Sequence, residues 1–85
     1  MYQLVIEKYA QKQLQKIASS QIPAIKKTIS ALASNPRPSG FKKLKGVNAY
    51  RVRSGDYRII YEIHDKIVTV VVVDVGHRRD IYKGL

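Results

Sequence analysis

The segment Tyr50-Arg51-Val52-Arg53-Ser54-Gly55-Asp56-Tyr57-Arg58-Ile59-Ile60-Tyr61-Glu62-Ile63 decides the architecture. Successive side chains of a strand point to opposite faces, so Tyr50 and Val52 share one face and Arg51 and Arg53 the other. Beyond the Ser54-Gly55 break, Tyr57, Ile59, Tyr61 and Ile63 share a face, and Arg58, Ile60 and Glu62 take the opposite one. The two apolar sets must meet one core, which makes the segment a β-hairpin. A two-residue turn at Ser54-Gly55 pairs Val52 with Tyr57 and Arg51 with Arg58, whereas a three-residue loop pairs Val52 with Arg58 and breaks the facial match. The pattern therefore predicts Arg51 directly across from Arg58, with Arg53 nearby. Like charges so placed destabilise a hairpin by ~0.2–1 kcal/mol. Three arginines gathered at that cost read as a site for an anion; the alternative is a wet face whose charge Asp56 and Glu62 neutralise.

Working outward, residues 67–75 are apolar on both parities, as expected of a central strand covered on both faces. His64-Asp65-Lys66 is the turn before them. Upstream, 35–40 is a Pro/Gly loop and 41–44 a short strand. Before that loop, Ile22, Ile25, Ile29, Leu32 and Ala33 recur at helical spacing, with Pro23 in the first turn and Ser19-Ser20 offering an N-cap. Ala10, Leu14, Ile17 and Ala18 mark an earlier helix, with Lys8, Lys12 and Lys16 on another side, and 2–6 reads as a short strand. Gly76 is placed to turn the chain out of the central strand. If a helical turn follows, Arg78 and Tyr82 share its face at i, i+4. The expected fold is α+β: an N-terminal strand, an antiparallel helical hairpin on one face of a mainly antiparallel sheet of about four strands, and a short C-terminal turn or helix.

Composition bounds what such a domain can do. Eighty-five residues make one domain, spanning 1–85, with no room for a Rossmann or barrel enzyme. The absence of cysteine excludes disulfides, cysteine zinc sites and iron–sulfur clusters, and fits a reducing cytosol. No apolar run approaches a membrane span, and the N-terminus lacks the pattern of a signal peptide. Sixteen Lys+Arg against six Asp+Glu give a net charge of +10, which predicts a polyanionic partner: nucleic acid, anionic membrane or an acidic protein. Lysine dominates the helical half, while five of the six arginines follow residue 50, and arginine is the residue for bidentate phosphate contacts.

Four short motifs in order, Leu44-Lys45-Gly46, Tyr50-Arg51-Val52-Arg53, the stretch from Asp56 to Tyr61, and the stretch from Val75 to Tyr82, resemble the RelE/ParE toxin superfamily, and its RelE branch most. The resemblance covers essentially the whole chain. It implies a cytoplasmic toxin of a toxin–antitoxin pair that enters the ribosomal A site and cleaves mRNA there. It also implies a RelB-like, acidic antitoxin and a toxin–antitoxin hetero-oligomer. By motif position, Arg51, Arg53, Arg58, Arg78 and Tyr82 match family site residues, although some relatives carry lysine where Arg51 and Arg53 stand. His77 falls where some relatives have lysine and others an acid–base histidine. Lys42, Lys43, Lys45, Arg79 and Lys83 are the basic residues expected to hold RNA beside that set.

RNA supplies its own nucleophile, the 2′-hydroxyl next to the scissile phosphate, so the route expected here needs no metal and no cofactor. The acidic residues are scattered singly, without a carboxylate cluster to hold magnesium. Arginine keeps its proton and is cast as phosphate clamp and transition-state stabiliser, leaving Tyr82 or His77 as the base. Nearby arginines lower a tyrosine pKa, and histidine titrates near neutrality unaided. Two rivals stand beside this reading: a ParE-like gyrase inhibitor on the same fold, and a non-catalytic RNA-binding module.

Overall fold

The computed structural model describes residues 1–77 of the chain. Strand β1 is Gln3–Ile6, helix α1 Lys8–Gln15 and helix α2 Ile22–Ser34. Strands β2 (Lys42–Lys43), β3 (Tyr50–Ser54), β4 (Tyr57–His64) and β5 (Thr69–His77) complete a five-stranded sheet of order β1-β5-β4-β3-β2. Its pairings are antiparallel except β1 with β5, which run parallel. A mainly antiparallel sheet under two helices, with the N-terminal strand at its edge, is the expected layout.

One core explains why both helices lie on the same face. Ala10 of α1 and Ile25, Ile29 and Leu32 of α2 are buried against Val52, Ile59, Tyr61, Val70, Val72 and Val75 of the sheet. Leu14 and Ile17 pack around them, so the predicted stripes are buried at these positions, while Ala18 is exposed and, with Ile17, lies past the end of α1. Pro23 lies in the first turn of α2. The serine N-cap is not used: Gln21 is the capping residue, without a side-chain bond. The reason is local, because Gln21 N–H already donates to Ala18 and Ile22 N–H to Ser19, closing a tight turn on backbone groups alone.

Three further expectations are corrected. The strand over 41–44 shrinks to Lys42–Lys43, since Phe41 N–H donates to Pro38 and Leu44 N–H to Ala49, which makes each flank part of a loop closure. The start of the last strand moves to Thr69, because Asp65–Ile67 forms a 3-10 turn that Val68 ends at φ 49°, a left-handed value that is costly for a β-branched residue. At its other end Gly76 does not turn the chain away; β5 runs through it to His77.

A bulge accounts for the apolar residues of both parities in β5. Tyr61 pairs with Val72 but Ile60 with Asp74, so Val73 is the extra residue. The slip lets Val70 and Val72 reach the core before it and Val75 after it. Alternation alone could not place all three there.

Candidate functional site

The β3–β4 hairpin turns at Gly55-Asp56, one residue later than the sequence pattern predicts. Gly55 has φ +59°, and a glycine at the first of two turn residues is the usual way to reach such a value in a tight hairpin. Arg53 therefore stands directly across from Arg58, and Arg51 across from Ile60. The expected pairing of Arg51 with Arg58 is wrong by two positions in register, a shift that leaves every side chain on its predicted face. All three arginines do lie together on the face away from the helices.

Two rows of residues build that face. One runs Lys42, Arg51, Ile60, Asp74 across β2 to β5; the next runs Arg53, Arg58, Gly76. Arg58 is 4% exposed, while Arg53 is open to solvent. Gly76 is the residue paired with Arg58 on β5. Arg53, Arg58, Gly55 and Asp56 line one shallow depression, and a second, lined by Ser39, Gly40, Lys42 and Arg51, adjoins it at Arg53. Glu62, on the same face, is engaged by His64 at 2.8 Å. The exposed Arg53 and half-buried Arg51 offer planar, permanently charged donors that fit a flexible polyanion backbone.

The remaining sequence candidates divide. His77 pairs with Tyr57, and their rings meet edge to face with centroids 5.6 Å apart. Tyr57 packs against the core, so His77 belongs to the helix-covered side of the sheet, away from the arginine rows. Lys43 pairs with Tyr50, another core-packed residue, and so belongs to that side too, unlike Lys42. Lys45 is exposed in the loop closed by Leu44 and Ala49. Arg78, Arg79, Tyr82 and Lys83 lie outside the described residues. Among the described residues no group of His, Asp and Glu is arranged to hold a metal ion.

Residues that the sequence pattern does not flag hold this site in place. The Gln13 carboxamide donates to Asp74 Oδ1 and accepts from Val75 N–H, each at 2.7 Å. Past the bond from Glu7 N–H to the Val72 carbonyl, the Gln13 side chain takes over that edge of β5. Arg37 bonds Asp65 at 2.9 Å and Tyr2 donates to the same carboxylate at 2.5 Å, tying the loop after α2 to the turn before β5. The Arg37 hydrogen bond, followed by that of Tyr2, holds the Asp65 carboxyl below its ordinary pKa. Gln13 has no sequence signal, since its partners lie 61 and 62 residues away. Arg37 had a faint one, as the lone arginine of the first half, set between Pro36 and Pro38.

Comparison with known proteins gives concordant results. Residues 4–82 match the family model of the ParE toxin of type II toxin–antitoxin systems, parDE. The mRNA interferase toxin RelE of Escherichia coli (strain K12) is 32% identical over 81 residues, covering 92% of this chain and 84% of that protein. The fold is similar to the crystal structure of the intact E. coli RelBE toxin–antitoxin complex, with a TM-score of 0.78, 31% identity and coverage of 91% of this chain and 96% of that one. It is similar also to the archaeal RelE–RelB complex from Pyrococcus horikoshii, with a TM-score of 0.79, 28% identity and coverage of 91% and 94%.

Proposed function

The chain belongs to the RelE/ParE toxin superfamily of type II toxin–antitoxin systems, and on that footing we propose that it is an mRNA endoribonuclease acting on ribosome-bound message, held in check by an acidic, RelB-like antitoxin. The observation that carries the reading is the cross-strand pair Arg53–Arg58 beside Arg51 on one sheet face. Guanidinium groups placed directly opposite each other present paired planar donors to one phosphate.

In the proposed reaction the 2′-oxygen attacks the adjacent phosphorus and the bond to the 5′-oxygen breaks. A 2′,3′-cyclic phosphate and a 5′-hydroxyl result. Arg58, buried, and Arg53 opposite it hold the phosphate and take up charge developing on its non-bridging oxygens; Arg51 holds the flanking backbone. Nothing in this route needs a metal. A base must accept the 2′-hydroxyl proton and an acid must return one to the leaving oxygen. His77 shares its side of the sheet with Tyr57, so we assign the base to Tyr82 and, by motif position, a further phosphate contact to Arg78. The ribosome supplies the in-line geometry that a shallow surface cannot impose alone.

The test is cleavage of message on programmed ribosomes, with ends mapped by primer extension. Arg58→Gln is expected to lower the rate about 10²–10³-fold, the usual loss when one transition-state donor is removed. Arg58 is buried, so the thermal melt of each variant is followed, and Arg53→Gln, at an exposed position, is expected to cut the rate without lowering the melt. Unchanged cleavage by a folded Arg58→Gln variant would sink the assignment. The matched family model bears the ParE name, which gives gyrase inhibition a specific claim as the second reading. Inhibition of DNA supercoiling by wild-type protein that leaves ribosome-bound message intact would establish it instead.

A further inference from the structure

We propose that the arginine face carries a second backbone-phosphate subsite, formed by Lys42 and Arg51, next to the one at Arg53 and Arg58, so that the chain grips two consecutive phosphates of single-stranded RNA. This rests on the reading of the face as an RNA site and extends it to a residue and a direction.

The register supplies the geometry. Lys42 stands opposite Arg51 across β2 and β3, and Arg53 opposite Arg58 across β3 and β4. Directly opposed residues share a face, so both cationic pairs look the same way. They are two residues apart along β3, about 7 Å at the rise of a strand. That step lets long cationic side chains meet successive phosphates of an extended strand. The two depressions that adjoin at Arg53 make the path continuous, and Ser39 and Gly40 wall its outer end. The path runs obliquely from β4 to β2, which places the additional nucleotide toward the loop after α2 rather than toward the helices.

The same register excludes the neighbouring lysine. Lys43 is opposite Tyr50 and on the other side of the sheet, although it carries the same charge one residue away. Sequence alone treats the two lysines as equivalent; the structure separates them.

The experiment is a titration of a short single-stranded 2′-O-methyl RNA, which cannot be cleaved, followed by fluorescence anisotropy across a range of salt. Each phosphate contact on a single strand contributes about 0.7 to the slope of log K against log salt. Lys42→Ala is expected to reduce that slope by about 0.7, while Lys43→Ala keeps it. A methylphosphonate at the linkage gripped by Lys42 is expected to weaken wild-type binding and to leave Lys42→Ala binding unchanged. Equal slopes for the two lysine variants, with wild-type cleavage of ribosome-bound message intact, overturn the second subsite and spare the nuclease reading. The Lys42-specific slope in a protein that never cleaves message overturns the nuclease reading and keeps the subsite. Absence of any RNA binding by the wild-type chain overturns both.

Discussion

Tyr61 shows how a single hydroxyl ties the site to the core. Its side chain is fully buried and its O–H donates to the Pro36 carbonyl at 2.7 Å, anchoring the loop that carries Ser39 and Gly40. Burial, opposed by Arg37 and reinforced by Tyr50, pushes its pKa up to about 12 from about 10. The folded state therefore holds this proton more tightly than the unfolded state does. The associated stability is complete below the unfolded pKa and is lost as pH rises from there through about 12. Tyr61→Phe is expected to lower stability by about 1–2 kcal/mol at neutral pH, because a buried carbonyl loses its donor. It should also flatten the alkaline fall in the urea midpoint, so an equally steep fall in the variant would show that Tyr61 is not its source. The alternation in the sequence put Tyr61 on the core face correctly. Its partner was illegible, because nothing in a proline loop 25 residues away marks which carbonyl a tyrosine will find.

At the scale of elements, the hairpin shows what alternation can and cannot decide. A register shift of two residues preserves every face, so the arginine face could be read from the sequence while the arginine opposite Arg58 could not. Turn geometry decided that point, through a positive φ at Gly55. The β5 bulge was hidden for a related reason: an inserted residue imitates a strand that is apolar on both sides. Apart from Ala18, which is exposed beyond the end of α1, the helical stripes were legible, since each buried position recurs every three or four residues and needs no knowledge of a distant partner. The observed pairing also sets a trade. Arg53→Thr replaces one member of a like-charge pair with a good strand residue, and is expected to stabilise the hairpin by ~0.2–1 kcal/mol. The same change should weaken RNA binding severalfold at low salt. A variant whose melting temperature falls, or whose RNA affinity holds, would show that the pair is maintained for packing and not for an anion.

For the molecule as a whole, the +10 charge sets opposite salt responses for the free and the bound chain. Charges spread over a globule repel one another and weaken the compact state. At ~0.1–0.15 M salt the screening length is about 8–10 Å, so distant pairs are silenced while cationic rows about 7 Å apart still repel. The exposed ion pair Arg37–Asp65 pulls the other way, but surface pairs of this kind contribute little. Repulsion therefore wins, and the melting temperature of the free chain is expected to rise with salt; a relief of about 1 kcal/mol amounts to ~4–8 °C in a domain of this size. A polyanion does the same work at low salt by occupying the arginine face, and stabilises according to its free concentration relative to its dissociation constant. Its effect must shrink as salt weakens binding. Melts recorded across salt, with and without a short RNA, should therefore converge from below for the free chain and from above for the complex. If the free chain is instead destabilised by salt, local ion pairs outweigh the net charge. The arginine face would then carry no strain for a partner to relieve, and an acidic antitoxin would have to draw its affinity from apolar contacts.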